Sequence, residues 1–346
     1  MPTTTDSTAA ETAAASARRT PPRWAMLAGL TAGLGVILVV LLLVFIMPSL
    51  KSGPRDLPLG VVGSPAVIEQ VDAGLDAAAS GAYTIEAYDA EDDLRAAIEQ
   101  RDVVGGFVID QERVHVLVAS AGSAVISATV TATGEALAEG TGADVTVTDV
   151  VPLPASDPSG IGIGGLAFPL VFGGIVPAVA FRKVFAKSLP WAIAGIVTFS
   201  VVGGLAVAAV LAFLFGSIET AAFWPVAAAM TLGIAGLALP LAGLQELFGG
   251  KGFTIGAMLM MFVGNPLAGI STTGAWLPQG LGLIGQLLPP GAFGTLVRSA
   301  AYFGWAGGAA AALTLAVWVL AGVLLLTLGA LRSRRKSAAT AVAATA

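Results

Sequence analysis

The sequence GNPLAGISTTGAWLPQGLGLIGQLLPPGAFGTLVR, residues 264–298, decides how the chain is organised. It follows the end of one long apolar run and leads into another. Proline and glycine interrupt it too often for a membrane-crossing helix, because proline removes a backbone donor and glycine lowers helix stability. We therefore expect residues 271–301 to form an outer re-entrant or surface loop with one or two short helices.

Arg298 stands near the end of this loop, and the sequence leaves its partner open. A long basic side chain can extend to lipid headgroups, pair with an acid from elsewhere in the chain, or cap the short helices. Trp276 and Tyr302 carry the amphipathic rings that favour a membrane surface. The apolar side chains that suit burial among helices or acyl chains are Leu281, Ile284, Leu287 and Leu288.

The composition indicates a membrane protein. Of the 346 residues, 56% are hydrophobic and only 11% are charged, and the mean hydropathy is +0.86. Soluble proteins carry about 25% charged residues. The chain has no cysteine, which excludes disulfides and thiolate metal sites.

Six apolar runs are long enough to cross a bilayer, whose core takes about 20 helical residues. We therefore predict an α-helical polytopic membrane protein with six transmembrane helices, the last five of them in a domain of residues 161–330. The six runs are residues 25–47, 161–181, 191–215, 223–244, 253–270 and 305–328.

Positive charges at the ends of these runs predict the orientation, because short cytoplasmic loops are enriched in lysine and arginine. Residues 1–24, a tail too polar to fold, contain three arginines; residues 182–188 contain three basic residues and residues 331–346 contain four. Six crossings place all three segments on one side. We therefore expect residues 1–24 to form a disordered cytoplasmic tail and residues 331–346 to form a basic cytoplasmic tail. Residues 48–160 then lie on the extracytoplasmic side.

Residues 48–160 differ from the rest of the chain. Between Lys51 and Gly160 there are 18 acidic and 5 basic residues, so this segment is strongly negative. Runs with a period of two alternate with runs of helical spacing in the order β-α-β-α-β-β-α-β. This order predicts a small α/β extracytoplasmic domain between the first and second transmembrane helices.

The second apolar run is unusually rich in glycine and proline. These residues should kink its helix and free backbone carbonyls. The helix then forms either a flexible wall of a transport path or a tightly packed contact with its neighbours. The candidate path residues are Pro169, Gly173, Gly174 and Pro177.

The sequence offers no support for an enzyme. The six apolar runs contain no Asp, Glu, His, Lys or Arg, which argues against a self-powered proton antiporter or an ion channel. The nearest approach to a P-loop, Gly249-Gly250-Lys251-Gly252, lacks the first glycine and the final serine or threonine. We find no catalytic, cofactor or metal site, and we expect neither a cofactor nor a nucleic-acid partner.

The order of one span, an outer domain and five more spans resembles the type-2 ABC exporter permeases, and in particular their stand-alone branch, which includes phage-infection-protein-like membrane proteins. In that family a Pro-Leu-small-Gly motif ends the fifth span. A proline, a Leu-Leu-Pro turn and an arginine follow before the last span. Residues 94–109 also resemble the outer domain of that branch. The matching loop positions are Pro266-Leu267-Ala268-Gly269, Pro278, Leu287-Leu288-Pro289 and Arg298.

The resemblance implies the membrane-spanning permease subunit of an ABC-type exporter in a bacterial plasma membrane, moving a hydrophobic or amphipathic cargo. It implies contact with membrane lipid, a homodimer or a heterodimer with a similar subunit, and a separate cytoplasmic ATP-binding subunit. The alternative is a non-transporting membrane scaffold or envelope receptor with the same permease-like fold.

Two groups of residues gain roles from this resemblance. The ATPase-coupling loop would contain Arg182, Lys183 and Lys187, for which a purely topological role is the alternative. The outer gate would contain Pro266, Gly269, Pro278, Pro289, Pro290 and Arg298.

Overall fold

The computed structural model describes residues 22–110, 112–186, 188–270, 272–278 and 280–345. The predicted disordered tail lies outside these residues except at its last three positions. Five helices in the described chain are long and apolar enough to cross a membrane, which is typical of a polytopic helical membrane protein. They are Arg23–Pro48, Ile161–Val184, Leu189–Phe215, Thr220–Gly264 and Ala309–Thr340.

The first helix, α1 (Arg23–Leu50), contains the predicted run of residues 25–47 and carries no charge after Arg23. It passes from one compact unit of the structure, which ends at Val44, into a second, which begins at Phe45. The elements described below all belong to this second unit.

Residues 57–149 form a five-stranded sheet, and the predicted order of strands and helices is confirmed. β3 and β4 are antiparallel, whereas the other neighbouring strands are parallel. The spatial order is β2-β1-β3-β4-β5. The strands are β1 (Leu57–Val62), β2 (Tyr83–Tyr88), β3 (Gly105–Ile109), β4 (Arg113–Val118) and β5 (Asp144–Asp149).

Three helices complete this sheet domain: α2 (Pro65–Ala78), α3 (Glu91–Gln100) and α4 (Ala124–Thr141). Local sequence explains where α2 and α4 begin. Ser64 accepts a hydrogen bond from the amide of Val67, and Ser123 accepts one from the amide of Ile126, so a serine caps each helix start.

The helical region begins with a short helix, α5 (Ile161–Gly164), followed by α6 (Ala167–Val184) and α7 (Leu189–Ala209). A π-helical segment, Val210–Phe215, extends α7. The longest elements are α8 (Phe223–Leu259) and α11 (Ala309–Thr345), which pack against each other.

Small residues bring α8 and α11 close together. A Cβ on Gly243 would lie 2.6 Å from the Cβ of Leu325 and 2.8 Å from the carbonyl oxygen of Gly322. A Cβ on Gly322 would in turn lie 2.5 Å from the backbone of Leu239. Such contacts are typical of helices that pack within a membrane, where small residues allow backbones to approach.

α8 reverses direction at Gly249, whose φ of 71° and ψ of −160° are not helical. A Cβ on Gly256 would lie 3.0 Å from the side chain of Leu241. In a straight helix these two residues would be about 22 Å apart, because each residue adds 1.5 Å. The chain must therefore fold back, so that residues 223–248 and 250–259 form two arms of a helical hairpin.

The second arm ends earlier than predicted. It continues as a π-helical segment, Met260–Gly264, and turns at Asn265, whereas the sequence predicted a helix to residue 270. Pro266 accounts for the difference, because it has no N–H to continue the helical hydrogen bonds, although Asn265 before it keeps helical dihedral angles of φ −70° and ψ −49°.

Two short helices follow in the loop, α9 (Leu281–Leu287) and α10 (Pro289–Tyr302). Their presence agrees with the sequence, but α10 is more deeply buried than a helix lying on a surface. Phe293 and Val297 are fully buried, and α10 packs on α8 and α11.

The expectation that Trp276 lies at the membrane surface is wrong. Its side chain is 8% exposed and packs in the hydrophobic core of the sheet domain, with residues such as Val71 and Phe107. Protein replaces lipid around this ring because the sheet domain covers the loop, a contact between segments that are distant in sequence.

Candidate functional site

The loop between α8 and α11 is held in a compact shape by close backbone contacts. A Cβ on Gly285 would overlap the carbonyl oxygen of Leu267, and a Cβ on Gly282 would overlap that of Gly274. α9 therefore lies directly on the chain that leaves α8. Any side chain at Gly282 or Gly285 would separate the two segments.

Arg298 holds the same loop from the opposite side. It lies on α10 and is 6% exposed. Its Nη1 donates a hydrogen bond to the carbonyl oxygen of Thr272 at 2.8 Å, and its Nη2 donates to that of Ile270. The sequence left lipid headgroups, an acidic side chain or the ends of the short helices as partners of Arg298. In the structure its guanidinium binds backbone carbonyl oxygens of the loop.

Gln286 is a loop residue that sequence reasoning missed. Its Nε2 donates to the carbonyl oxygen of Ala268 at 3.3 Å, and its Oε1 accepts a hydrogen bond from the hydroxyl of Thr295 at 2.7 Å. It thus connects α9 to both the preceding turn and α10. A polar residue within the otherwise apolar sequence LGLIGQLL was the available signal.

The other predicted gate residues lie along this loop but do not converge on one point. Gly269 has a φ of 60°, and a Cβ there would lie 2.8 Å from the backbone of Thr273. Pro289 and Pro290 occupy the first turn of α10, where a missing N–H costs no hydrogen bond. Pro266 and Pro278 lie in turns.

The sheet domain contacts the loop at two aromatic residues. The ring of Trp276 packs in the core of the sheet domain, and the backbone amide of Gly53, between α1 and β1, donates to the Trp276 carbonyl oxygen at 3.0 Å. The guanidinium of Arg101, at the end of α3, lies 5.0 Å from the centre of the Phe303 ring. Phe303 is 8% exposed and packs with sheet-domain residues that include Leu94 and Ile98.

An apolar groove of about 790 Å³ lies between α5, α6 and the end of α7. This volume is within the range of about 300–1,000 Å³ that is common for ligand pockets. Three polar residues, Ser156, Asp157 and Ser217, stand at its border. The apolar lining includes Ile161, Leu166, Pro169, Val207, Val210, Leu211, Leu214 and Phe215.

One wall of this groove is the π-helical segment Val210–Phe215. The segment ends at Gly216 with a φ of 64°, and the Ser217 amide donates to the carbonyl oxygen of Leu211 at 2.8 Å. π-helical turns are rare and occur frequently at functional sites. This one places Leu211 and Leu214 in the groove lining.

Asp157 closes the polar border of the groove. Its carboxylate accepts hydrogen bonds from the amides of Ile161 at 2.8 Å and Gly162 at 2.7 Å, at the start of α5. Burial acts to raise the pKa of Asp157, but these amides and the Ser217 hydroxyl outweigh it and lower the pKa below its usual range. The group is therefore a fixed negative charge at neutral pH.

The border is also tied to the loop. The Tyr302 hydroxyl donates to the carbonyl oxygen of Ser217 at 2.7 Å, and the Ser156 hydroxyl donates to that of Gly216 at 2.6 Å. The polar end of the groove and the last turn of α10 are thus one connected structure.

The glycines and prolines of the second apolar run are distributed over α5, α6 and the residues between them. The helix is interrupted at Gly165, before α6, but it is continuous through Gly173, Gly174 and Pro177. A Cβ on Gly174 would overlap the side chain of Leu237, so this glycine serves close packing against α8. Pro177 is buried, Gly173 is half-buried, and Pro169 is exposed in the groove.

Arg182 and Lys183 of the predicted coupling loop have different surroundings in the structure. Arg182 forms an ion pair with Glu246, and the two side chains are only 14% and 11% exposed. It therefore connects α6 to α8 beside the turn at Gly249. Lys183 is exposed at the end of α6, and Lys187 lies outside the described residues.

Glu246 is an acid that sequence reasoning placed in a loop. It lies within α8, and a Cβ on Gly329 would be 2.5 Å from its Cγ, so α11 packs on it as well. The ion pair thus lies where three long helices meet.

Comparison with known proteins adds no family assignment. No family model matches the chain, and neither a curated protein nor a solved structure shows detectable similarity to it.

Proposed function

We propose that this chain crosses the membrane six times. The stretch Thr220–Gly264 has 45 residues and would be about 68 Å long as one straight helix, more than twice the hydrocarbon core of about 30 Å. The reversal at Gly249 supports two crossings in its place. Together with the four other apolar helices, these make six.

Six crossings put both termini on one side. Arg182, Lys183, Lys251 and the basic residues after 331 then share that side, which the enrichment of cytoplasmic loops in lysine and arginine assigns to the cytoplasm. The sheet domain and the loop that carries α9 and α10 lie on the outer side.

Single cysteines in this cysteine-free chain test that arrangement. Asp93→Cys, on the exposed start of α3, should react with an impermeant thiol reagent in intact cells. Gly250→Cys, beside the reversal, should react only after the cells are permeabilised. Labelling of Gly250→Cys from outside would rule out the fold-back within the membrane.

The function that these features support best is that of the membrane-spanning permease subunit of an ABC-type exporter for a hydrophobic or amphipathic cargo. The groove carries this proposal. Its apolar lining suits a cargo with an apolar body, and Asp157 offers a polar border with a fixed charge. Because the groove lies between two apolar helices, such a cargo can reach it from the lipid.

The energy for export would come from a separate ATP-binding subunit in the cytoplasm, since no nucleotide-binding motif occurs in the sequence. That subunit would meet the ends of α6 and α8, where Lys183 is exposed and Arg182 is held by Glu246. A homodimer, or a heterodimer with a similar subunit, would complete the path in a bacterial plasma membrane.

Two observations favour the alternative of a membrane scaffold or envelope receptor that transports nothing. Arg182, a residue expected to contact an ATPase, is engaged within the chain, and the connection between α6 and α7 is only a few residues long. A small docking surface at this end would suit a protein that binds no ATPase.

Export can be tested by obstructing the groove. Val210 lines the groove, whereas Val202 lies on the same helix with its side chain 57% exposed. Cells that lack the chain should retain lipid-soluble compounds that wild-type cells release, as measured by mass spectrometry of cells and medium. The chain with Val202→Trp should restore release, and the chain with Val210→Trp should not. Equal restoration by both variants would refute a role for the groove in export.

A further inference from the structure

Two arginines lie close to each other where the sheet domain meets the loop, one of them buried (Arg298) and the other half-buried (Arg101). Arg298 comes from α10 and Arg101 from the end of α3. In the described parts of the chain, neither guanidinium has a carboxylate within 4.0 Å. Among the described residues, the contact between the sheet domain and the loop therefore contains two positive charges that no carboxylate pairs with directly.

The two guanidinium groups differ in how well they are satisfied. Arg298 donates to the carbonyl oxygens of Ile270 and Thr272. Arg101 lies against the face of the Phe303 ring, and its Nη1 is buried without a hydrogen-bond acceptor among the described residues. Burial lowers the pKa of Arg101, so the surroundings oppose its charge.

A cavity of about 220 Å³ lies beside this group. Arg101 and Thr273 both line it, and the hydroxyl of Thr273 is buried without a partner in the described structure. Ser123, the residue before α4, also lines the cavity, so this helix begins beside it; the amide of Ile126 is already bound by the Ser123 hydroxyl. The rest of the lining is mainly apolar and includes Ile98, Val104, Ile126 and Phe303.

One explanation fits the unpartnered polar atoms of Arg101 and Thr273 and the cavity beside them. A buried guanidinium without a partner is unfavourable, because its desolvation is not offset by hydrogen bonds. An oxyanion in the cavity would accept a hydrogen bond from the Arg101 guanidinium and, after a rotation of the Thr273 side chain, one from the Thr273 hydroxyl, both of which have an unpartnered, buried polar atom here. The start of α4 would add a favourable dipole. The apolar walls would surround a small apolar body attached to the anionic group.

We propose that the cavity between Arg101, Thr273 and the start of α4 binds a small organic oxyanion, with its anionic group at Arg101 and its apolar body against Ile98, Ile126 and Phe303. The ligand bridges the sheet domain and the loop and offsets the charge of the arginine pair. This site lies apart from the apolar groove and does not depend on the proposed export function.

Isothermal titration calorimetry of the full chain in a neutral detergent tests the proposal. The probes are sodium benzoate, which has a carboxylate on an apolar ring, and sodium phosphate, with sodium chloride at equal ionic strength as the reference. Benzoate should give a saturable one-to-one signal and bind more tightly than phosphate. Tighter binding of phosphate would contradict the role given to the apolar walls.

Variants assign the signal to this cavity. Arg101→Gln should weaken benzoate binding by about tenfold or more, because a hydrogen bond from a charged donor is lost. Arg113→Gln, at an exposed arginine of the same domain, is the matched control and should bind as the wild type does. Thr273→Val keeps both arginines and should weaken binding by about fivefold.

The Thr273 variant keeps the test decisive if Arg101→Gln does not fold. Wild-type affinity in both Arg101→Gln and Thr273→Val would place the ligand elsewhere and overturn the proposal. The absence of any saturable signal from either probe would also overturn it.

Discussion

The carbonyl oxygen of Thr272 accepts a hydrogen bond from Nη1 of Arg298 at 2.8 Å, which ties the start of the loop between α8 and α11 to α10. The next residue, Thr273, lines the cavity beside Arg101 of the sheet domain. A displacement of α10 would therefore reach the sheet domain through two successive residues. This connection gives the loop and the sheet domain a structural basis for moving together.

Arg298→Gln should loosen the loop while leaving membrane insertion intact. Glutamine is too short to reach both carbonyl oxygens, so at least one hydrogen bond from a charged donor is lost, at a cost of about 1.5–3 kcal/mol. A single cysteine at Thr273, which has a buried hydroxyl, reports the change. It should react slowly with an impermeant thiol reagent in the wild-type background and several-fold faster with Arg298→Gln. Equal rates would show that Arg298 does not hold the loop.

Gly285→Ala should destabilise the protein by about 1–3 kcal/mol, because the added methyl group would overlap the carbonyl oxygen of Leu267. Gly74 provides the control. It lies within α2 and a Cβ there meets no atom within 4 Å, so Gly74→Ala should stabilise by up to about 1 kcal/mol. Thermal melting of the two variants in detergent should shift in opposite directions. A melting temperature for Gly285→Ala at or above that of the wild type would contradict the packing of α9.

The ion pair between Arg182 and Glu246 should contribute strongly to the joining of α6 and α8. Arg182→Glu or Glu246→Arg alone would leave two like charges in a largely buried place, and breaking such a pair costs about 3–5 kcal/mol. The double exchange should recover most of the loss. Lys183→Glu, at the exposed neighbour, should melt as the wild type does. Additive losses in the double variant would mean that the two side chains do not pair.

The lowered pKa of Asp157 predicts how the stability of the folded chain depends on pH. Its pKa is lower in the folded chain than in the unfolded chain. Its stabilisation is therefore complete above the ordinary aspartate pKa of about 3.9 and is lost as the pH falls through the lower folded value. Asp157→Asn should melt below the wild type at pH 7, and the gap should narrow on acidification below about pH 4.

An exposed carboxylate separates this local effect from general acid destabilisation. Asp93→Asn should show no comparable gap at either pH. A gap for Asp157→Asn that stays constant from neutral to acid pH would mean that the charge of Asp157 does not stabilise the start of α5.

Local sequence was sufficient for most of the secondary structure. Alternating and helical spacings predicted the strands and helices of residues 57–149, since those periods follow directly from which face each element buries. The sequence also predicted two apolar runs, 223–244 and 253–270, and the structure reverses the chain between them at Gly249. One or two short helices were predicted in the loop, and α9 and α10 lie there.

Contacts between distant segments were beyond the sequence. Trp276 has the amphipathic ring that favours a membrane surface. It is a core residue because the sheet domain packs over it. The sequence shows Arg101 only as a charge at the end of a helix. Its contact with the ring of Phe303 depends on the tertiary structure. The same limit applies to Arg182, whose partner Glu246 lies on another helix.

We propose that this chain is the membrane subunit of an ATP-driven exporter, and ATP hydrolysis by the purified complex is the measurement that decides it. The chain should be isolated from its native membranes in a mild detergent, and bound subunits and ATP hydrolysis measured together. An exporter subunit should carry an ATP-binding subunit in a fixed ratio, show vanadate-sensitive ATP hydrolysis, and associate more weakly with Lys183→Glu at unchanged thermal stability. A stable chain that carries no ATP-binding subunit and hydrolyses no ATP would not be an exporter subunit, and this result would favour the scaffold or receptor.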